Sequence, residues 1–152
     1  MAEIDLVCPW VDGNDLAWQR ERQRYASPEM QSGARMFRDW DLMRYWFRGV
    51  EKALPWIRTV HFVTWGHLPP WLNTAHPKLH IVRHDAFLPK AYRPTFNSSA
   101  IMLNVHRIPG LAEQFLLAND DFFFLDRVAP EEYFQSGLPC DCLHILPITE
   151  VC

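Results

Sequence analysis

No apolar run in the sequence approaches the roughly 20 consecutive residues that a membrane span needs. The opening, Met1-Ala2-Glu3-Ile4-Asp5, lacks the basic and then apolar layout of a secretory leader. Basic excess is missing as well. Fifteen Lys and Arg stand against 18 Asp and Glu, for a net charge of -3, so nothing supports a nucleic-acid binder. A soluble, cytoplasmic protein, at most peripheral to a membrane, is the expectation. There is no internal repeat, no low-complexity tract, and no GxGxxG or Walker pattern. Cysteine is scarce: Cys8, Cys140, Cys142 and Cys152 are all there are. No second His or Cys pair completes a zinc site around Cys140-Asp141-Cys142, so the four read as reduced thiols.

What is present suffices for one domain. The 152 residues are 49% hydrophobic and 14% aromatic, enough to build a core and too apolar for disorder. Short apolar runs alternate with longer amphipathic stretches, the pattern of an α/β fold with a mostly parallel sheet flanked by helices. Strands are expected at 4–8, 59–64, 79–82 and 114–118. A helix is expected at about 15–25. Another starts near Asp39, where Met43, Trp46, Phe47, Val50 and Leu54 fall on one face and Pro55 ends it. A third spans about 98–107, with Ile101, Val105 and Ile108 on one side and Pro109-Gly110 as its stop. Residues 130–134 look like a short helix, and Ser27-Pro28 with Ser32-Gly33 marks a loop.

Each expected strand runs into polar or glycine residues: Asp12-Gly13-Asn14-Asp15, Thr64 to Gly66, His84-Asp85 and Asn119-Asp120-Asp121. Open parallel sheets bind ligands beyond the carboxyl ends of their strands, so these groups are expected to share a crevice. In Asn119-Asp120-Asp121, two adjacent carboxylates beside apolar walls repel unless a cation relieves them. Mg²⁺ or Mn²⁺ bridging diphosphate oxygens would do so; a turn that caps neighbouring backbone is the alternative. Trp10-Val11-Asp12-Gly13-Asn14-Asp15 joins a strand to a helix and either holds part of a nucleotide or is an ordinary capped turn. Arg38 can meet a phosphate bidentately or form a surface ion pair, and Asp39 can cap the helix after it. Asn97 and Ser98 offer polar groups to a sugar or phosphate, though helix capping alone explains Ser98 or Ser99.

In order along the chain, several of these segments resemble the Stealth family. That family includes bacterial capsule-polymer phosphotransferases and the catalytic part of the GlcNAc-1-phosphotransferase of lysosomal enzymes. The resembling words begin with Ile4-Asp5-Leu6-Val7-Cys8-Pro9-Trp10-Val11-Asp12-Gly13-Asn14-Asp15. They continue with Phe37-Arg38-Asp39-Trp40-Asp41, Pro55-Trp56-Ile57-Arg58 and Val63-Thr64-Trp65-Gly66-His67-Leu68-Pro69. Pro94-Thr95-Phe96-Asn97-Ser98-Ser99, His106-Arg107-Ile108-Pro109-Gly110-Leu111 and Asn119-Asp120-Asp121 complete the set.

The resemblance implies a Rossmann-like fold similar to nucleotide-sugar transferases, with residues 1–152 forming the N-terminal part of a larger catalytic domain. It also implies transfer of a sugar-1-phosphate from a UDP-sugar to a glycan hydroxyl, with release of UMP, in capsule or cell-surface polysaccharide synthesis. By match to the family's motifs, Asp121 is the leading catalytic or metal-binding residue, supported by Asp120 and Asn119. Asp12 and Gly13, with Trp10, Asn14, Asn97 and Ser98, are expected at the nucleotide sugar, and Arg38 and Asp39 around the crevice. Two departures stand out: the family's glutamate after Ala100-Ile101 is Met102 here, and no match is found to its downstream catalytic His and basic residue. A non-catalytic nucleotide-sugar-binding module and a metal-dependent glycosyltransferase are the rival readings. Self-association through an uncovered edge is a further expectation.

Overall fold

The computed structural model describes residues 3–25, 37 and 40–141. Four parallel strands form the sheet: β1 (Ile4–Pro9), β2 (Val60–Thr64), β3 (Leu79–Arg83) and β4 (Gln114–Leu117), in the spatial order β3-β2-β1-β4. The chain thus builds outward from β1 through β2 to β3, then returns to place β4 on the other side of β1. The expected mostly parallel α/β sheet is what the chain forms.

Side-chain alternation explains why the central strands are apolar throughout. From β1 and β2, Ile4, Leu6, Cys8, Val60 and Phe62 face one core, which is covered by helix α2 (Met43–Ala53) through Met43, Trp46, Val50 and Ala53. Val7, Val63 and Val82 face the other core, with Phe87, Leu88, Val105 and Ile108. Helix α1 (Leu16–Tyr25) follows β1, and Trp18 is its buried residue. Two short helices, α3 (His84–Phe87) and α4 (Ser98–Met102), lie between β3 and β4. Gly49 lets α2 press on the segment after β4: a Cβ there would stand 2.9 Å from the Phe124 carbonyl oxygen.

Three local expectations need correcting. Helix α2 starts at Met43 rather than near Asp39; Asp41, at φ 55°, turns the chain just before it. The third expected helix is broken, because Asn104 Nδ2 donates to the Ala100 carbonyl at 2.9 Å and the chain tightens into a 3₁₀ turn at Val105–Arg107. Residues 130–134 hold only a 3₁₀ turn, Pro130–Glu132, before a hairpin of β5 (Phe134–Gln135) and β6 (Leu138–Pro139). Ser136 and Gly137 both take positive φ, the geometry a two-residue hairpin requires. Helix α3 was not foreseen, being four residues long. The Ser27-Pro28 and Ser32-Gly33 loop lies outside the described residues.

Candidate functional site

The reversal of strand order makes the gap between β1 and β4 the switch point of the sheet, where a crevice opens beyond the carboxyl ends. Both motifs singled out in the sequence arrive there. From β1 comes Trp10 to Asp15; from β4, tied on by the bond from Ala118 N–H to the Val7 carbonyl at 3.0 Å, comes Asn119-Asp120-Asp121. Asp120 and Asp121 are felt at Cys8, near the carboxyl end of β1. Its thiol is pushed well up, first by burial and then by the charges of Asp120 and Asp121.

Internal hydrogen bonds hold the β1 turn. Asp12 Oδ1 accepts from Asn14 N–H at 2.8 Å, and Asp15 Oδ1 caps α1 by accepting from Trp18 N–H at 2.8 Å. Gln19 Nε2 donates to the Gly13 carbonyl at 2.7 Å. Gly13 has no room for a side chain, since a Cβ would sit 1.7 Å from the Phe37 carbonyl oxygen. Trp10 lies beneath this turn, buried, with its ring stacked on Phe62 and edge-on to His67. It supports the crevice from below and has little surface to offer a ligand.

Asn119 and Asp121 are exposed and Asp120 is half-buried. The segment is a turn, closed by Phe122 N–H donating to the Asn119 carbonyl at 3.2 Å. Among the described residues, no group of three or more His, Cys, Asp or Glu side chains gathers to hold a metal. Two neighbouring carboxylates with no third His, Cys, Asp or Glu gathered to them among the described residues do not suit a closed zinc site. They do suit a hard cation that keeps water and takes its other ligands from phosphate oxygens.

The Asn97 side-chain oxygen Oδ1 is occupied by capping, accepting from Ser99 N–H and Ala100 N–H at 2.9 and 3.3 Å, while Ser98 is exposed at the start of α4. Met102 is the last residue of α4 and half-buried. Arg38 and Asp39 lie outside the described residues.

A cleft of about 480 Å³ opens on the other side of β1, over the carboxyl ends of β1, β2 and β3. Its walls include Asp15, Trp65, His67, Arg83, His84 and Arg93. The polar residues after β2 and β3 pointed to such a crevice. Arg83 was missed because β3 runs one residue further than the apolar run suggests, and Arg93 because nothing in its neighbourhood marks it. His67 spans the two regions: its Nε2 accepts from Asp12 N–H at 2.8 Å, and its Nδ1 stands 3.5 Å from Asp15 Oδ2.

Burial, then the charge of His67, lowers His84 to about 4. Its unfolded value is near 6.5. The neutral ring therefore contributes stability that is complete above about pH 7 and is lost as pH falls from 6.5 towards 4. The loss from this group should approach about 3 kcal/mol. Urea midpoints from pH 7.5 to 4 should fall clearly less in His84→Gln than in the parent. Equal slopes would refute the assignment.

Residues 2–27 match conserved region 1 of the Stealth proteins (Stealth protein CR1), and residues 36–140 match conserved region 2 (Stealth protein CR2). The chain belongs to the Stealth family. The two regions take in all four strands of the sheet and both motifs at the switch point. The chain is 46% identical over 140 residues to the capsular polysaccharide phosphotransferase WcwK of Streptococcus pneumoniae, covering 90% of itself and 42% of that protein. Against the exopolysaccharide phosphotransferase cps2G of Lactiplantibacillus plantarum the identity is 44%, covering 91% of this chain and 42% of that one. A capsular polysaccharide phosphotransferase of Streptococcus thermophilus, eps5J, is 42% identical, over 90% of this chain and 59% of its own length. This Stealth chain thus spans from about two-fifths to three-fifths of the curated relatives it matches.

Proposed function

We propose that this chain forms the donor side of a sugar-1-phosphate transferase, which takes a UDP-sugar, joins the sugar phosphate to a glycan hydroxyl and releases UMP. The observation that carries the reading is the arrival of Asp120-Asp121 and the Asp12-Gly13-Asn14 turn at one switch point of the sheet. The printed names of the relatives, capsular and exopolysaccharide phosphotransferases, support the same chemistry and a polysaccharide product.

In the reaction, the acceptor oxygen forms a bond to the sugar-bearing phosphorus. The bond from that phosphorus to the bridging oxygen breaks, UMP leaves with the electron pair, and the acceptor's proton passes to a base. Negative charge builds on the phosphoryl oxygens as this happens. Asp120 and Asp121 are the residues that would hold Mg²⁺ or Mn²⁺, which when bound neutralises charge on the diphosphate. The β1 turn, braced by Gln19, His67 and the Asp15 cap, gives the nucleotide a rigid edge.

Met102 favours a second reading, donor binding without turnover, because a thioether neither takes a proton nor ligates Mg²⁺ well. Titrating the chain with UDP-GlcNAc, with Mg²⁺ present and then chelated, and assaying the nucleotide product separates the readings. UMP marks phosphoryl transfer, UDP marks glycosyl transfer, and saturable binding without product marks the second reading. Asp121→Asn should weaken cation-dependent binding at least tenfold. Undiminished binding in a folded variant would overturn the metal role.

A further inference from the structure

Three buried side-chain nitrogens among the described residues lack a hydrogen-bond partner: Trp46 Nε1, His67 Nδ1 and Arg93 Nε. The last two belong to residues lining the cleft over β1, β2 and β3. His67 Nε2 accepts a backbone N–H, so the proton of the neutral ring is on Nδ1. Asp15 Oδ2, at 3.5 Å, attracts that proton but is too distant for a good hydrogen bond. Arg93 Nε always carries a hydrogen. Two residues that line the cleft therefore each carry a buried N–H donor without a hydrogen-bonded acceptor.

A second guanidinium is close by. Arg83, the last residue of β3, lies over Gly66 so tightly that a Cβ there would be 2.9 Å from its Nη1. Asp85 is the carboxylate that answers Arg83, with Oδ1 at 3.4 Å from Nε. Arg93 meets only the main-chain oxygen of Asp85, at 3.3 Å, and has no carboxylate partner among the described residues. Trp65 adds a flat apolar wall.

We propose that this cleft binds a phosphate ester or diphosphate, with Arg93 and Arg83 donating to its oxygens and His67 Nδ1–H beside them. Guanidinium groups suit phosphate because their planar donors match its oxygens. The volume accommodates a nucleoside or sugar phosphate, with Trp65 against its ring. The site lies on the β2–β3 side of β1, whereas Asp120 and Asp121 lie on the β4 side. Asp15 and Asp85 balance the two arginines in the lining, and the donors to phosphate are guanidinium groups, so binding here requires no divalent cation and the proposal does not depend on transferase activity. The phosphate comes either from the nucleotide or from a phosphorylated acceptor.

The test titrates the chain in excess EDTA with inorganic pyrophosphate, UMP and glucose 1-phosphate, read by calorimetry and tryptophan fluorescence. The expected result is saturable, mutually competitive binding of pyrophosphate and at least one ester. Arg83→Gln and Arg93→Gln should each weaken it at least tenfold, while Arg48→Gln, an exposed site on α2, leaves it unchanged. Tighter binding of UMP assigns the phosphate to the nucleotide, and tighter binding of the sugar phosphate assigns it to an acceptor; both support the site. The Arg83 side chain is 59% exposed, so that variant remains informative if Arg93→Gln does not fold. No saturable binding by the folded chain, or unchanged affinity in Arg83→Gln, would overturn the proposal. Asp121→Asn should keep pyrophosphate binding in EDTA, which separates this site from the cation-dependent one.

Discussion

Replacing Asp5 with alanine should lower stability by about 3–5 kcal/mol, because the buried member of a charge pair is removed together with the acceptor of several donors. Asp5 lies inside the sheet with no exposed surface, and four donors meet its carboxylate. Arg58 Nε reaches Oδ1 at 2.8 Å, while Arg58 Nη2, His61 Nε2 and Ala112 N–H reach Oδ2 at 2.5, 2.9 and 2.8 Å. Because His61 Nε2 donates to Asp5, its Nδ1 is left to accept from His80 Nδ1–H at 3.0 Å. The alanine variant would leave the His61 and Ala112 donors buried and unsatisfied. Glu3 is the internal comparison: it also pairs with Arg58, at 2.9 Å, but is 68% exposed. Glu3→Ala should therefore cost about 1 kcal/mol or less. Urea unfolding of both variants provides the test, and similar losses would refute the distinction.

The same carboxylate fixes a pH window separate from that of His84. Burial alone would raise Asp5, but the bonds from Arg58, Ala112 and His61 prevail and lower it from 3.8 to about 2. A depressed carboxylate contributes stability above its unfolded value and loses it as pH falls through the folded one. Asp5 thus weakens the fold between about pH 4 and 2, after His84 has already acted between 6.5 and 4. His61 and His67 are lowered as well, chiefly by burial, and add to the upper window.

Most of the sheet was legible because its strands are short apolar runs whose ends are marked by Pro9, Gly66, His84-Asp85 and Asn119. The switch point was not legible. It depends on β4 returning to the far side of β1, and no single segment encodes strand order. Asp5 was passed over for a related reason: one carboxylate in an apolar strand looks like an irregularity until Arg58, 53 residues on, and the Ala112 amide are seen to meet it. Helix α4 failed differently. The apolar spacing of Ile101, Val105 and Ile108 is correct for the second core, yet the Asn104 side chain takes the Ala100 carbonyl and interrupts the helix between them. Arg83 and Arg93 left no signal, since two surface-type residues ten positions apart come to line one cleft only once β3 and the loop before α4 are folded.

Gly13→Ala should be the most disruptive single-methyl addition at the crevice. A glycine can be needed for its dihedral angles or for its lack of a side chain, and two positions separate the causes. Gly110 has φ +77° and open space around its missing Cβ, so alanine there pays only for left-handed backbone, about 1–2 kcal/mol. Gly13 has no such φ, but its Cβ would overlap the Phe37 carbonyl oxygen at 1.7 Å and carbon at 2.6 Å. Both obstacles are backbone, so no rotamer change relieves them. Either the β1 turn or the segment carrying Phe37 must move by more than an ångström. Overpacking of this kind costs about 2–3 kcal/mol, and the displacement falls on the turn that carries Asp12 and Asn14. The variant should therefore unfold at lower urea than Gly110→Ala and also weaken cation-dependent UDP-GlcNAc binding, which Gly110→Ala leaves intact. Its pyrophosphate affinity in EDTA should change less, because Arg83 and Arg93 stand on other segments. Normal stability and normal donor binding in Gly13→Ala would show that the β1 turn neither packs on Phe37 nor forms the donor site.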